Sequence, residues 1–287
     1  MPLVTISNDV FTATVDTVGA QLTSLKRNAT GEEFIWQRAP EHWTESAPIC
    51  FPVVGNLNKG SFSHDGKWYK IKKHGCVRHK SFFKARHTAK SLALSVVSDI
   101  ETKKSYPFSF KLTVSFTLDS DGLTVKYFAE NLDEVPMPMS LGYHPAFALD
   151  AGAALSEYEI IFSEKENRDL YGMTKDSFGL REKGYLKDAN QIVLSETIFD
   201  EDVLVFKNIT SQRISIVRPG TDWRLDLETG GAPHLAIWSK PGAPFVCIKP
   251  WYICPDEKNA PEELSAKPDI TVLEPRGSFT SSYKILP

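Results

Sequence analysis

The chain has 287 residues, 41% of them hydrophobic and 24% charged, with a formal net charge of -3. That length buries a large core, and the composition is ordinary for a soluble globular protein. The slight acidity gives no basic field for nucleic acid, and no apolar run approaches the roughly 18 residues of a membrane helix, so neither partner is expected.

The first residues, M-P-L-V-T-I-S-N-D, lack the positive and apolar regions of a signal peptide, which makes a cytoplasmic protein the expectation. Four cysteines are present, Cys50, Cys76, Cys247 and Cys254. Only the last two are close, as C-x6-C, which is neither a zinc spacing nor a disulfide framework, so reduced thiols are expected. His74, Cys76 and His79 form H-x-C-x-x-H. That pattern lacks a fourth ligand and throws near neighbours to opposite faces of a strand, so no metal is expected.

Taken in chain order, alternation dominates over helical periodicity. Strands are predicted at Val4–Ser7, Thr12–Asp16, Gln21–Lys26 and Phe34–Gln37, and a turn at Asp65-Gly66 joins Gly60–Phe62 to Lys67–Ile71. Phe82–His87 and Leu92–Asp99 follow. The clearest stretch is 108–131, where Phe110, Leu112, Val114, Phe116 and Leu118 alternate with polar residues. Asp121-Gly122 then turns the chain into Leu123, Val125 and Tyr127, a long hairpin. Later strands are predicted at Tyr158–Phe162, Val203–Lys207, Arg213–Arg218, Trp223–Glu228, His234–Ser239, Phe245–Lys249, Ile270–Leu273 and Ser278–Leu286. Glu164–Leu194 is more polar and reads as a long excursion, and Glu257–Ala266 as a short helix or loop. No low-complexity linker or internal repeat divides the chain. The expectation is an all-β protein, one antiparallel sandwich domain spanning 1–287.

No nucleophile elbow, P-loop, dinucleotide fingerprint or H-E-x-x-H motif occurs, which leaves acid–base chemistry or binding. Six polar residues stand at strand ends beside Gly or Pro: Asn56, His74, Arg78, His144, Asp202 and Lys249. Each has a bland alternative. His144 precedes Pro145, which stiffens the backbone at a strand edge, yet a lone His-Pro is more often a packing residue. Arg78 fits a surface ion pair, Asp202 a solvated acidic turn, and Lys249 a snorkelling strand end.

The ordered set A-P-I-C-F-P-V-V-G-N-L, H-G-C-V-R, S-L-G-Y-H-P-A-F, D-V-L-V-F, W-S-K-P-G-A-P-F-V-C-I-K-P-W and S-Y-K-I resembles the aldose 1-epimerase (galactose mutarotase) family. It is most similar to the short bacterial branch associated with lactose and galactose use. The resemblance implies a β-supersandwich with an open sugar cleft, working without metal or cofactor, as a monomer or homodimer, on a small-molecule sugar or sugar phosphate. The implied reaction interconverts anomers by ring opening: a base takes the O1 proton, an acid protonates O5, and the ring recloses on the other face of C1. By resemblance His144 is the acid, His74 holds the ring, and Asp202 accepts hydrogen bonds from sugar hydroxyls.

Two positions depart from the pattern. Lys249 stands where the family has its general-base glutamate, and it can serve as a base only if burial or nearby positive charge lowers its pKa. Asp256 and Glu257 are the nearest carboxylates in sequence that could take over. Asn56 stands where the family has a sugar-clamping arginine, with Lys59 near enough in sequence to compensate. Lys249, Arg78 and Lys59 together point to an acidic sugar or sugar phosphate. An isomerase and a sugar-binding or regulatory protein on the same scaffold are both expected readings.

Overall fold

The computed structural model describes residues 3–150, 152–174 and 177–287. Strands β1 (Leu3–Ser7), β2 (Phe11–Asp16) and β3 (Gln21–Arg27) form a three-stranded sheet, and β4 (Ser61–His64) with β5 (Lys67–Lys70) a small hairpin. Next come β6 (Phe83–His87), β7 (Ser91–Val97), the short helix α1 (Ile100–Ser105), and the hairpin β8 (Phe110–Leu118) and β9 (Leu123–Asn131). Two short strands, β10 (Met137–Met139) and β11 (Ala146–Ala148), precede a long ribbon of β12 (Glu159–Met173) and β13 (Phe178–Val193). The rest are β14 (Leu204–Phe206), β15 (Arg213–Val217), β16 (Arg224–Glu228), β17 (His234–Trp238), β18 (Phe245–Trp251), β19 (Thr271–Leu273) and β20 (Ser278–Leu286).

Thirteen strands join one sheet in the order β11-β18-β17-β14-β12-β15-β16-β20-β9-β8-β7-β6, with β13 paired to β12 off that path. Its pairings are antiparallel. The cause is visible in β8, where every second side chain from Phe110 to Leu118 is buried and those between are not. A face so divided can only lie between core and solvent. The main hydrophobic cluster runs from Val4 to Ile285, so strands from both ends of the sequence share one core.

Several elements differ from the sequence expectation, the short strands β10 and β11 among them. The excursion Glu164–Leu194 is the β12–β13 ribbon. Register shifts between Ile161 and Tyr171 break its alternation, and much of its surface is exposed, so its polar residues carry no period-2 signal. Buried Glu166 ties this ribbon to the loop before β15 by accepting hydrogen bonds from Thr210 and Ser211. Helix α1 begins where Leu92–Asp99 was expected to end, because Asp99 and Thr102 form a reciprocal capping box. Phe34–Gln37 forms no strand and makes a single isolated bridge, Ile35 to Phe147.

Candidate functional site

The middle of the sheet supplies the floor of the site. Along β18, Val246 and Ile248 point into the main core, while Phe245, Cys247, Lys249 and Trp251 take the other face. That period-2 split explains how a lysine in a wholly buried strand reaches a cavity. Lys249 lies opposite Ala236 of β17, and Ala236 opposite Val205 of β14. The turn before β14 brings in Asp202 and Val203.

The second wall comes from two loops pinned to each other. Cys50 and Gly142 exchange both backbone hydrogen bonds at 3.0 Å, Tyr143 N–H donates to Pro250 O, and Ala146 N–H donates to Ser46 O. Tyr143 turns its ring into the core against Tyr127 and Tyr283. His144, the next residue, is therefore sent the other way, into the cavity lining. The loop carrying His74 is held as closely. Gly75 has φ +90°, and a Cβ there would lie 1.9 Å from Phe51 O, so only glycine lets the two loops meet.

Asn56, His74, Arg78, His144, Asp202 and Lys249 all line one cavity of about 300 Å³. Clefts of about 420 and 470 Å³ exist elsewhere, but neither includes His74, His144, Asp202 or Lys249. Further lining comes from Trp43, Trp238 and Trp251, which the sequence reading did not single out, and from Lys73 and Met173. Trp43 lies against His144 at 5.1 Å between ring centroids, and Trp238 meets Trp43 edge-on at 5.6 Å. Trp238 and Trp251 sit within the W-S-K-P-G and I-K-P-W stretches of the sequence, whereas Trp43 stands in a loop that offers no periodic cue.

Hydrogen bonding fixes one tautomer. His74 Nδ1 accepts the Gly55 N–H at 3.0 Å, so in the neutral ring the proton rides on Nε2. Burial, then the positive charges of Lys73 and Lys249, push the His74 pKa down to about 3. The His144 pKa falls well below its usual value for the same leading reason, burial, followed by the charge of Lys249. Its Nδ1 is buried without a hydrogen-bond partner. Both imidazoles are thus neutral near pH 7. The condition set for Lys249 is met: burial is the main cause that lowers its amine to about 8, against an opposing pull from Cys247 and Asp202.

Other candidates are not brought to the cavity. Lys59 pairs with Glu262 at 3.7 Å and is largely exposed, so it does not replace a clamp at Asn56. Asp256 is buried against Lys267 and the Asn58 N–H, and Glu257 pairs with Lys207; neither carboxylate reaches the lining. Arg78 does line the cavity, but its Nε and Nη2 edge is taken by Glu45, with Nε donating to Oε1 at 2.6 Å. That takes one of the two edges arginine can offer a phosphate and offsets its charge, which weakens the case for an acidic sugar. Among the described residues no three His, Cys, Asp or Glu side chains cluster as a metal site, and no helix is long and apolar enough to cross a membrane.

A family model described as aldose 1-epimerase matches residues 2–285. The plasmid-borne protein LacX of Lactococcus lactis subsp. lactis is 27% identical, over 98% of this chain and 97% of its own. Among solved structures, a galactose mutarotase related enzyme from Lactobacillus acidophilus superposes with a TM-score of 0.93 at 27% identity, covering 99% of this chain and 97% of that one. A galactose mutarotase-like protein from Lactobacillus casei ATCC 334 gives 0.92 at 26%, covering 99% of both. The galactose mutarotase-like architecture is thereby shown over the whole sheet.

Proposed function

The chain belongs to the aldose 1-epimerase family, and from that premise we propose that the cavity binds an aldose and interconverts its anomers by acid–base ring opening. The observation that carries this is the convergence of His74, His144, Asp202 and Lys249 on one tryptophan-walled cavity. Indole faces suit the apolar C–H face of a sugar, and a few convergent polar groups suit its hydroxyls.

Ring opening must move one proton from O1 to O5. With His144 held neutral by burial and Lys249 lowered only to about 8, the proton of the pair rests on the amine near pH 7. Lys249 is then the donor to O5 and His144 the acceptor from O1. This reverses the role that the resemblance implied for His144. Because O1 and O5 are both bonded to C1, exchanging the roles requires only that the ring sit with those two oxygens exchanged. His74, fixed as an Nε2–H donor, holds a sugar oxygen, and the Asp202 carboxylate accepts from hydroxyls.

A second reading, a sugar-binding protein without turnover, is favoured by one observation, the amine at position 249 in place of a carboxylate. Polarimetry of a freshly dissolved α-aldose separates the two. Turnover by the wild type supports the isomerase. Calorimetric binding with no turnover, and turnover gained in Lys249→Glu, supports the binding protein.

A further inference from the structure

Two lysines are buried among the described residues, Lys249 and Lys267, each 4% exposed. They are treated in opposite ways. Lys267 Nζ donates to both oxygens of Asp256, at 2.9 and 2.8 Å, and to Pro261 O at 2.8 Å. Lys249 Nζ has no hydrogen bond or ion pair among the described residues. It stands over the rings of Trp251 and Trp238, 5.2 and 5.4 Å from their centroids, and it lines the cavity. A buried ammonium is normally paired because desolvation is costly. Here the partners are withheld, and the amine is left facing the space where a sugar would sit.

We propose that Lys249 is also a covalent site, condensing with the ring-opened aldehyde of a bound aldose to form a reversible Schiff base. This rests on the sugar-binding reading above, since ring opening in the cavity delivers the carbonyl carbon beside the amine. The ammonium first gives up one proton, and the freed Nζ lone pair bonds to C1 while the carbonyl π pair moves to oxygen. Nζ then gives up a second proton, the two protons end on that oxygen, and water leaves with the C1–O bonding pair as nitrogen forms the C=N bond. Ammonium plus aldehyde gives protonated imine plus water, so charge and atoms balance without an added reactant. Hydrolysis runs the same steps backward. Desolvation is the usual way a lysine is made nucleophilic. The neighbouring thiols of Cys50 and Cys247 do not compete, because burial raises both to about 12.

The test traps the imine. Full-length protein is incubated at pH 8 with D-galactose, D-glucose or glucose 6-phosphate and sodium cyanoborohydride, and alkylated lysines are mapped by mass spectrometry. With an amine near 8 rather than the usual 10.4, Lys249 holds on the order of a hundredfold more free amine than a surface lysine at this pH. Lower basicity also means a weaker nucleophile, so labelling at least about tenfold faster than at surface lysines is expected. The corresponding methyl glycoside, which cannot open, should suppress labelling at Lys249 alone, and Lys249→Arg should lose that adduct while keeping the charge. Calorimetry with the methyl glycosides runs alongside. Glycoside binding with Lys249 labelled no faster than the surface overturns the covalent site and leaves the sugar cavity intact. No binding of any sugar overturns both.

Discussion

Replacing Lys249 by methionine should stabilise the protein at neutral pH, and the size follows from the site. In the unfolded chain the amine keeps its proton up to about 10.5, whereas in the folded chain burial brings that point to about 8. Between these values the unfolded state holds a proton that the folded state lacks, so stability rises with pH across 8 to 10.5 and is lost as pH falls. Below 8 the loss is complete. At about 1.4 kcal/mol per pH unit it amounts to roughly 3 kcal/mol. The indole faces of Trp238 and Trp251 offset part of this. Lys249→Met fills similar volume with no charge, so a gain of roughly 1–3 kcal/mol at pH 7 is expected, with little gain at pH 10. Urea unfolding at both pH values reads this as a higher midpoint with an unchanged slope. A variant no more stable than wild type at pH 7, with the same slope, would refute the account of an unpaired, desolvated amine.

The companion substitution Lys267→Met should have the opposite sign, costing about 3–5 kcal/mol, because it leaves the Asp256 carboxylate buried without its cation; the same urea series measures it. Acid should destabilise the protein in a window set by His74. Its folded pKa is near 3 and its ordinary value 6.5, so stability is full above 6.5 and lost as pH falls toward 3. Urea midpoints at pH 7, 5 and 4 should fall steadily in wild type and less steeply in His74→Gln. Gly75→Ala should cost more than 2 kcal/mol on the order of other strained-backbone changes, since its Cβ meets Phe51 O. A thermal melt with no loss would contradict the close approach of the two loops.

Where side chains alternate between core and solvent, the fold was legible from the sequence, as β8 and β9 illustrate. It was not legible in the β12–β13 ribbon, whose bulges scramble the period and which adds buried, hydrogen-bonded Glu166 to apolar anchors such as Leu170 and Leu186. The six site candidates lie scattered over 56–249, and only the order of their motifs hinted that they converge; the sheet brings them to one cavity. Protonation lay beyond the sequence. That His144 is neutral and Lys249 lowered depends on burial first and, for His144, on the nearby charge of Lys249, which spacing along the chain does not encode. Whether Asp256 or Glu257 could reach the site was open in the sequence, and in the fold each is committed to a lysine of its own. Trp43 was missed because a loop tryptophan looks alike in sequence whether it packs on a histidine or on nothing.

The most direct test of proton sharing between His144 and Lys249 is polarimetry of freshly dissolved α-D-galactose, α-D-glucose and, separately, glucose 6-phosphate across pH 6 to 9. The expected result is an anomerisation rate above the spontaneous one in wild type, strongest near pH 7 and falling as pH rises through about 8 and the amine loses its proton, with loss of the excess in both His144→Ala and Lys249→Met. An absence of excess rate at every pH, or an excess that survives in Lys249→Met, would contradict it.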